Sequence, residues 1–143
     1  MRNPTGYPEE TPVTREVTVF RERPGTGLCE SLIAQARWWV QGRSVYLEVE
    51  LPPHTYRSSG TSLFYAMLDL RQSRLEPEGL LLLTEGCRSD VWALGTPEQD
   101  FPGTRGIVLG TETTVDLLAT VGERDVPRVG RVGDQLGFST DEL

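Results

Sequence analysis

Period-two alternation on both sides of a short glycine turn is the feature that most restricts this chain. From Ser31 to Val40, Leu32, Ala34, Ala36, Trp38 and Val40 alternate with Ile33, Gln35, Arg37 and Trp39. From Ser44 to Leu51, Val45, Leu47, Val49 and Leu51 alternate with Ser44, Tyr46, Glu48 and Glu50. Gln41-Gly42-Arg43 joins the two runs and places glycine where a positive φ is wanted. The pattern predicts an antiparallel hairpin with one apolar face. A helix over 29–40, CESLIAQARWWV, is the competing reading of the first run. If that run is a strand, Trp38 and Trp39 point to opposite faces and one of them lies off the main core.

The rest of the chain arranges itself around this hairpin and one helix. Val13 to Glu22 reads as a strand, with Val13, Arg15, Val17 and Val19 on one face. Pro52-Pro53 ends the hairpin, because neither residue donates to a ladder, and His54 to Gly60 reads as a polar loop. Thr61 or Ser62 is a natural N-cap for a helix whose stripe is Phe64, Met67, Leu68 and Leu75, widened by Leu63 and Leu70. Arg71 and Arg74 suit its C-terminal half, where cations meet the helix dipole, and Pro77 and Gly79 stop it. Leu80 to Leu83, apolar on both faces, predicts a central strand. Gly86-Cys87 breaks or bends it, Ser89 to Leu94 continues as a strand, Gly95 to Gly103 is an acidic loop, and Thr104 to Thr111 is a further strand. Thr113 to Val121 fits either a last strand or a short helix. The expectation is an α+β domain over 13–121: a mainly antiparallel sheet of five to six strands in the order β-β-β-α-β-β-β, with one main helix on one face. A flexible lead-in over 1–12 and a surface-wrapping tail over 122–143 complete it.

With 143 residues, 37% hydrophobic and 24% charged, such a domain has a core of its own and is globular. The net charge of -7 repels nucleic acid and anionic membranes and favours a basic partner. All 14 basic residues are arginine, which composition bias in a GC-rich genome explains. No apolar run approaches a membrane span and the N-terminus has no apolar signal region, so a cytoplasmic protein is expected. Cys29 and Cys87 stand far apart, outside any metal spacing, and read as two reduced, part-buried thiols.

Chemistry-bearing residues are few. The single histidine, His54, sits in a loop, no G-x-S-x-G elbow is present, and zinc would need paired His or Cys ligands. No catalytic residue, metal or cofactor is expected. Arg57, Ser58, Ser59, Gly60 and Thr61 precede a helix start, where free N–H groups attract anions, so a phosphorylated ligand is one reading of them and plain capping another. Trp39 and Trp92 are candidate partner anchors, since large aromatics are favoured at interface hot spots. Glu85, Asp90, Glu98 and Asp100 gather around Trp92 and its loop, a mixture suited to steering a basic protein.

Leu75-Glu76-Pro77-Glu78-Gly79 running into Leu80 to Leu83, then Gly86-Cys87-Arg88-Ser89-Asp90-Val91-Trp92, resembles a pattern in small bacterial immunity proteins that neutralise polymorphic or contact-delivered toxins. The resemblance implies a cytosolic, non-enzymatic binder and transfers no catalytic residue. The resulting expectation is an immunity or antitoxin-like protein that covers a basic toxin domain with an acidic, tryptophan-containing surface. An accessory subunit of a larger bacterial assembly and a small phosphorylated-ligand-binding domain are the rival readings.

Overall fold

A computed structural model describes residues 12–142 apart from positions 24, 26, 27 and 97; the side chains of 23, 28 and 138–142 are not described. The expected lead-in lies outside the described residues except for Pro12. The hairpin forms as the alternation requires: β2 (Leu28–Gln41) pairs antiparallel with β3 (Ser44–Leu51), Gln41 facing Ser44 across the Gly42-Arg43 turn. Gly42 takes φ 65°, the left-handed region open to glycine. The helix alternative over 29–40 is thereby excluded. β1 (Val13–Arg23) lies on the other side of β2, with Val17 opposite Ala34.

Two stretches differ from expectation around this hairpin. His54–Gly60 is no loop but a strand, β4, joined to β3 by a Pro52-Pro53 turn that contains a cis peptide bond, so that Leu51 faces His54. Its composition hides the strand, because only Tyr56 and Ser58 turn inward and both are polar. Leu80–Leu82, β5, is at the end of the sheet rather than in its middle: the order is β4-β3-β2-β1-β5. Leu80 and Leu82 are nonetheless fully buried, because neighbouring segments close over that end. Leu83 donates to Thr18 and its carbonyl accepts from Val121 at 3.1 Å, and Thr84 bridges Thr120. An all-apolar strand signals burial on both faces, and burial does not require two flanking strands.

Helix α1 (Leu63–Leu70) packs on the inner face of this sheet. Ser62 is its N-cap, accepting from the Tyr65 N–H, and Leu63, Phe64, Ala66, Met67 and Leu70 are buried. They meet Val17, Val19, Ala34, Ala36, Val45, Leu47 and Val49, each buried valine or leucine contributing about 1.5–3 kcal/mol of transfer free energy. The helix loosens into a π turn over Arg71–Leu75, tightens over Glu76–Glu78, and ends at Gly79 with φ 73°. Arg71 is not a solvated terminal cation: it is 2% exposed and hydrogen-bonds the Gln135 side chain and the Gly130 carbonyl.

The last third builds a second sheet instead of extending the first. A short 3-10 turn, Glu85–Cys87, redirects the chain, so Ser89 to Leu94 does not continue β5. β6 (Val91–Ala93), β7 (Arg105–Val108) and β8 (Thr114–Asp116) pair antiparallel in that order, which resolves the ambiguity at 113–121 as strand. Leu117 and Leu118 join the common core, and Arg15 of β1 reaches Asp116 of β8. The architecture is a single α+β domain with two sheets. The tail contains a 3-10 turn over Glu123–Arg128 and a second helix, α2 (Val132–Glu142), whose Val132 and Gln135 are buried.

Candidate protein-binding face

α1 and the second sheet occupy the inner face of the five-stranded sheet. Its outer face keeps solvent-exposed residues across three strands, among them Thr14, Glu16, Gln35, Thr55 and Ser59, with Ile33 57% exposed. Strand pleating decides what stands there: Trp38 packs against the core, so Trp39 points outward. The register sets Trp39 opposite Tyr46 and Arg37 opposite Glu48, which in turn faces Arg57 on β4. Trp39 and Tyr46 stack with their ring planes 9° from parallel and their centroids 5.7 Å apart. The Arg57 guanidinium lies 5.1 Å from the Trp39 ring, within cation–π range.

One carboxylate organises the surrounding charges. Glu48 accepts from Arg57 Nε at 2.9 Å and sits 3.2 Å from Arg37 Nε, while Arg37 also bonds Glu50 at 3.2 Å. The Glu48 side chain is only 11% exposed, beneath its arginines, whereas that of Arg57 is 60% exposed. Trp39, Tyr46 and Arg57 are thus held in fixed orientations on an open face. These are the residue types over-represented among interface hot spots, and prior ordering lowers the entropy cost of using them.

The remaining candidates do not share this face. Trp92, on β6, packs edge-on against Phe64 with centroids 4.7 Å apart, on the core side of the molecule. Glu98 is exposed and Asp100 half-buried in the loop before β7, which is tied to the start of α1 by the Leu63 N–H donating to Pro102 O at 2.7 Å. Glu85 and Asp90 belong to an internal ion-pair hub. Arg88, 7% exposed, donates to Asp90 through Nε at 2.9 Å and a terminal nitrogen at 2.8 Å, and to Glu85 at 2.8 Å. Asp125 and Arg128 of the tail complete it, with Arg128 3.4 Å from Asp90. The hydrogen bonds it donates to Asp90 hold the Arg88 guanidinium above its ordinary value, against the opposing effect of burial. Burial pushes the Asp90 carboxyl up, but the bonds and charge of Arg88, helped by Arg128, more than cancel this and hold it below the usual carboxylate value. Both acids therefore already have cationic partners inside the fold.

Arg57 to Thr61 likewise have internal roles. The Ser58 hydroxyl, buried, donates to the Ala66 carbonyl at 2.6 Å. Gly60 is forced by close approach, since a Cβ there would meet the Ala66 nitrogen at 2.6 Å. At the start of α1 the N–H groups of Leu63, Tyr65 and Ala66 donate to Pro102 O, Ser62 Oγ and Ser62 O. An anion would have to displace these bonds. His54 neighbours Tyr56, and the cysteines are both free: Cys29 exposed, contrary to the part-buried expectation, and Cys87 buried against Thr84. Among the described residues no cluster of three His, Cys, Asp or Glu side chains suits a metal, and no helix is long and apolar enough to cross a membrane.

Tyr46, Arg37, Glu48 and Glu50 complete the outward cluster and were not singled out by residue type. The signal that finds them is register: a two-residue turn after Gln41 sets Trp39 opposite Tyr46 and Arg37 opposite Glu48. No known protein-family profile matches the chain, and a search of curated proteins finds no match.

Proposed function

We propose that this protein is a non-catalytic binder of the immunity or antitoxin kind, which neutralises a partner protein by occupying its surface. The observation that carries the reading is the Trp39–Tyr46–Arg57 cluster, ordered by Glu48 on an exposed sheet face. The net charge of -7 supports a basic partner, since it would speed encounter with one. In this reading Trp39 and Arg57 are the anchors, Glu98 and Asp100 supply long-range attraction, and Glu85 and Asp90 hold the fold together.

The test is capture of partners from the native host with the intact protein as bait, followed by titration of the captured protein's activity. A basic toxin domain inactivated at one-to-one stoichiometry is the expected result. Loss of Trp39 as alanine is expected to weaken binding by about 2 kcal/mol or more, roughly thirty-fold. A toxin inhibited equally well by the Trp39→Ala protein would contradict the assignment of this face. Turnover of a captured small molecule would contradict the non-catalytic reading.

A further inference from the structure

The two edges of the five-stranded sheet are unlike. At β5 the ladder runs on past the end of the strand, through the Leu83–Val121 bond and the Thr84–Thr120 bridge, and the side chains of Leu80 and Leu82 are buried. At β4 it stops. The turn that pairs Gln41 with Ser44 directs the backbone bonds of Ser44, Tyr46, Glu48 and Glu50 to β2, and those of Val45, Leu47, Val49 and Leu51 to β4. On β4 the inward-bonding residues are therefore His54, Tyr56, Ser58 and Gly60. Thr55, Arg57 and Ser59 aim their N–H and C=O groups away from the sheet. All three residues are exposed, and none has a backbone partner outside the ladder among the described residues. Beside the strand runs a groove of about 510 Å³, lined by His54, Tyr56 and Arg57 on one wall and by Arg74, Pro77 and Glu78 on the other.

A monomeric protein normally guards such an edge with a charge standing in the path of a second strand. Arg57 does not stand there: it is folded onto Trp39 and held by Glu48 on the outer face. We infer that the edge serves a second copy of this chain, β4 pairing antiparallel with β4 about a two-fold axis at Tyr56. That register sets Thr55 opposite the other copy's Arg57 and keeps the two arginines from facing each other, whereas a register centred on Arg57 would oppose like charges. The groove carries both signs, Arg74 and Glu78, so it is charge-complementary to a copy of itself. Because a two-fold contact uses the same edge of both copies, pairing stops at two copies and yields a closed dimer rather than a fibre. Pleating carries across the new ladder, so both copies would present Trp39, Tyr46 and Arg57 on the same side of one continuous sheet. The inference stands independently of what the outer face binds.

Sedimentation velocity of the full chain over a wide concentration range tests it. A species of twice the 15.9 kDa chain mass is expected, dissociating on dilution. Thr55→Pro removes an N–H that serves no bond among the described residues, so this variant is expected to keep the wild-type melting curve and to sediment as a monomer. Amide hydrogen exchange of the unaltered protein gives a second, variant-free readout: the Thr55 and Arg57 amides should be protected at high concentration and lose protection on dilution. A monomer at every concentration, a dimer that survives Thr55→Pro, or Thr55 and Arg57 amides that exchange freely in the dimer would each overturn the inference.

Discussion

Two arginine–carboxylate clusters of similar make-up lie in different surroundings. On the open face, Arg37 and Arg57 flank Glu48 and leave the Arg57 side chain 60% exposed. In the interior, Arg88 joins Asp90, Glu85 and Asp125, and its side chain is 9% exposed. The difference is what the ions would do if a partner were lost. A stranded Glu48 gains water as its arginines swing away, whereas a stranded Asp90 remains inside the fold with its desolvation uncompensated. The first cluster is therefore free to serve recognition at little cost to stability, and the second ties the tail to the domain.

Removing the hub should have the largest effect. Arg88→Ala strands Asp90 and is expected to cost about 3–5 kcal/mol in chemical denaturation. A loss as small as that of a surface pair would erase the distinction between the clusters. Gln135→Ala comes next, at about 1–3 kcal/mol. The side chain is fully buried and bridges Arg71 to the carbonyls of Gly86 and Val91, so the tail helix should lose exchange protection first.

Acid provides a gentler probe. A carboxyl held below its unfolded value stabilises the fold fully above that value, and the contribution is lost as pH falls through the lower, folded one. For Asp90 the unfolded reference is 3.8, so wild-type stability should decline below about that pH. Asp90→Asn should be less stable at neutral pH and show a shallower acid decline; equal slopes in pH-dependent denaturation would remove Asp90 from the account. The smallest effect on folding is expected at the open face, where Arg57→Ala should change stability by about 1 kcal/mol or less.

Much of this architecture was legible because side-chain period reports backbone geometry. The alternation on either side of Gly42 specifies β2 and β3, and Ser62 with Pro77 and Gly79 brackets the helical stretch. What escaped notice has a physical cause in each case. β4 is an edge strand whose inward residues are Tyr56 and Ser58, so hydropathy gave no period to read. β5 reads as a central strand because burial and a central position leave the same apolar signature, although it ends the sheet. At the candidate site, Trp39 was visible as an outward tryptophan, but its neighbours depend on cross-strand register, and Arg57 on a strand whose composition reads as loop. Glu85 and Asp90 read as surface acids near Trp92, yet Arg88, one position beyond Cys87, is buried between them.

The most direct test pairs two readouts on one substitution. Trp39→Ala, made in the full chain, is measured for unfolding free energy and for affinity toward the protein captured from the host. A binding loss far larger than the stability loss is the predicted result, because the Trp39 ring lies outside the core and within the recognition cluster. Affinity that is unchanged, or that falls only in step with folding, would contradict the claim that this face is where the protein acts.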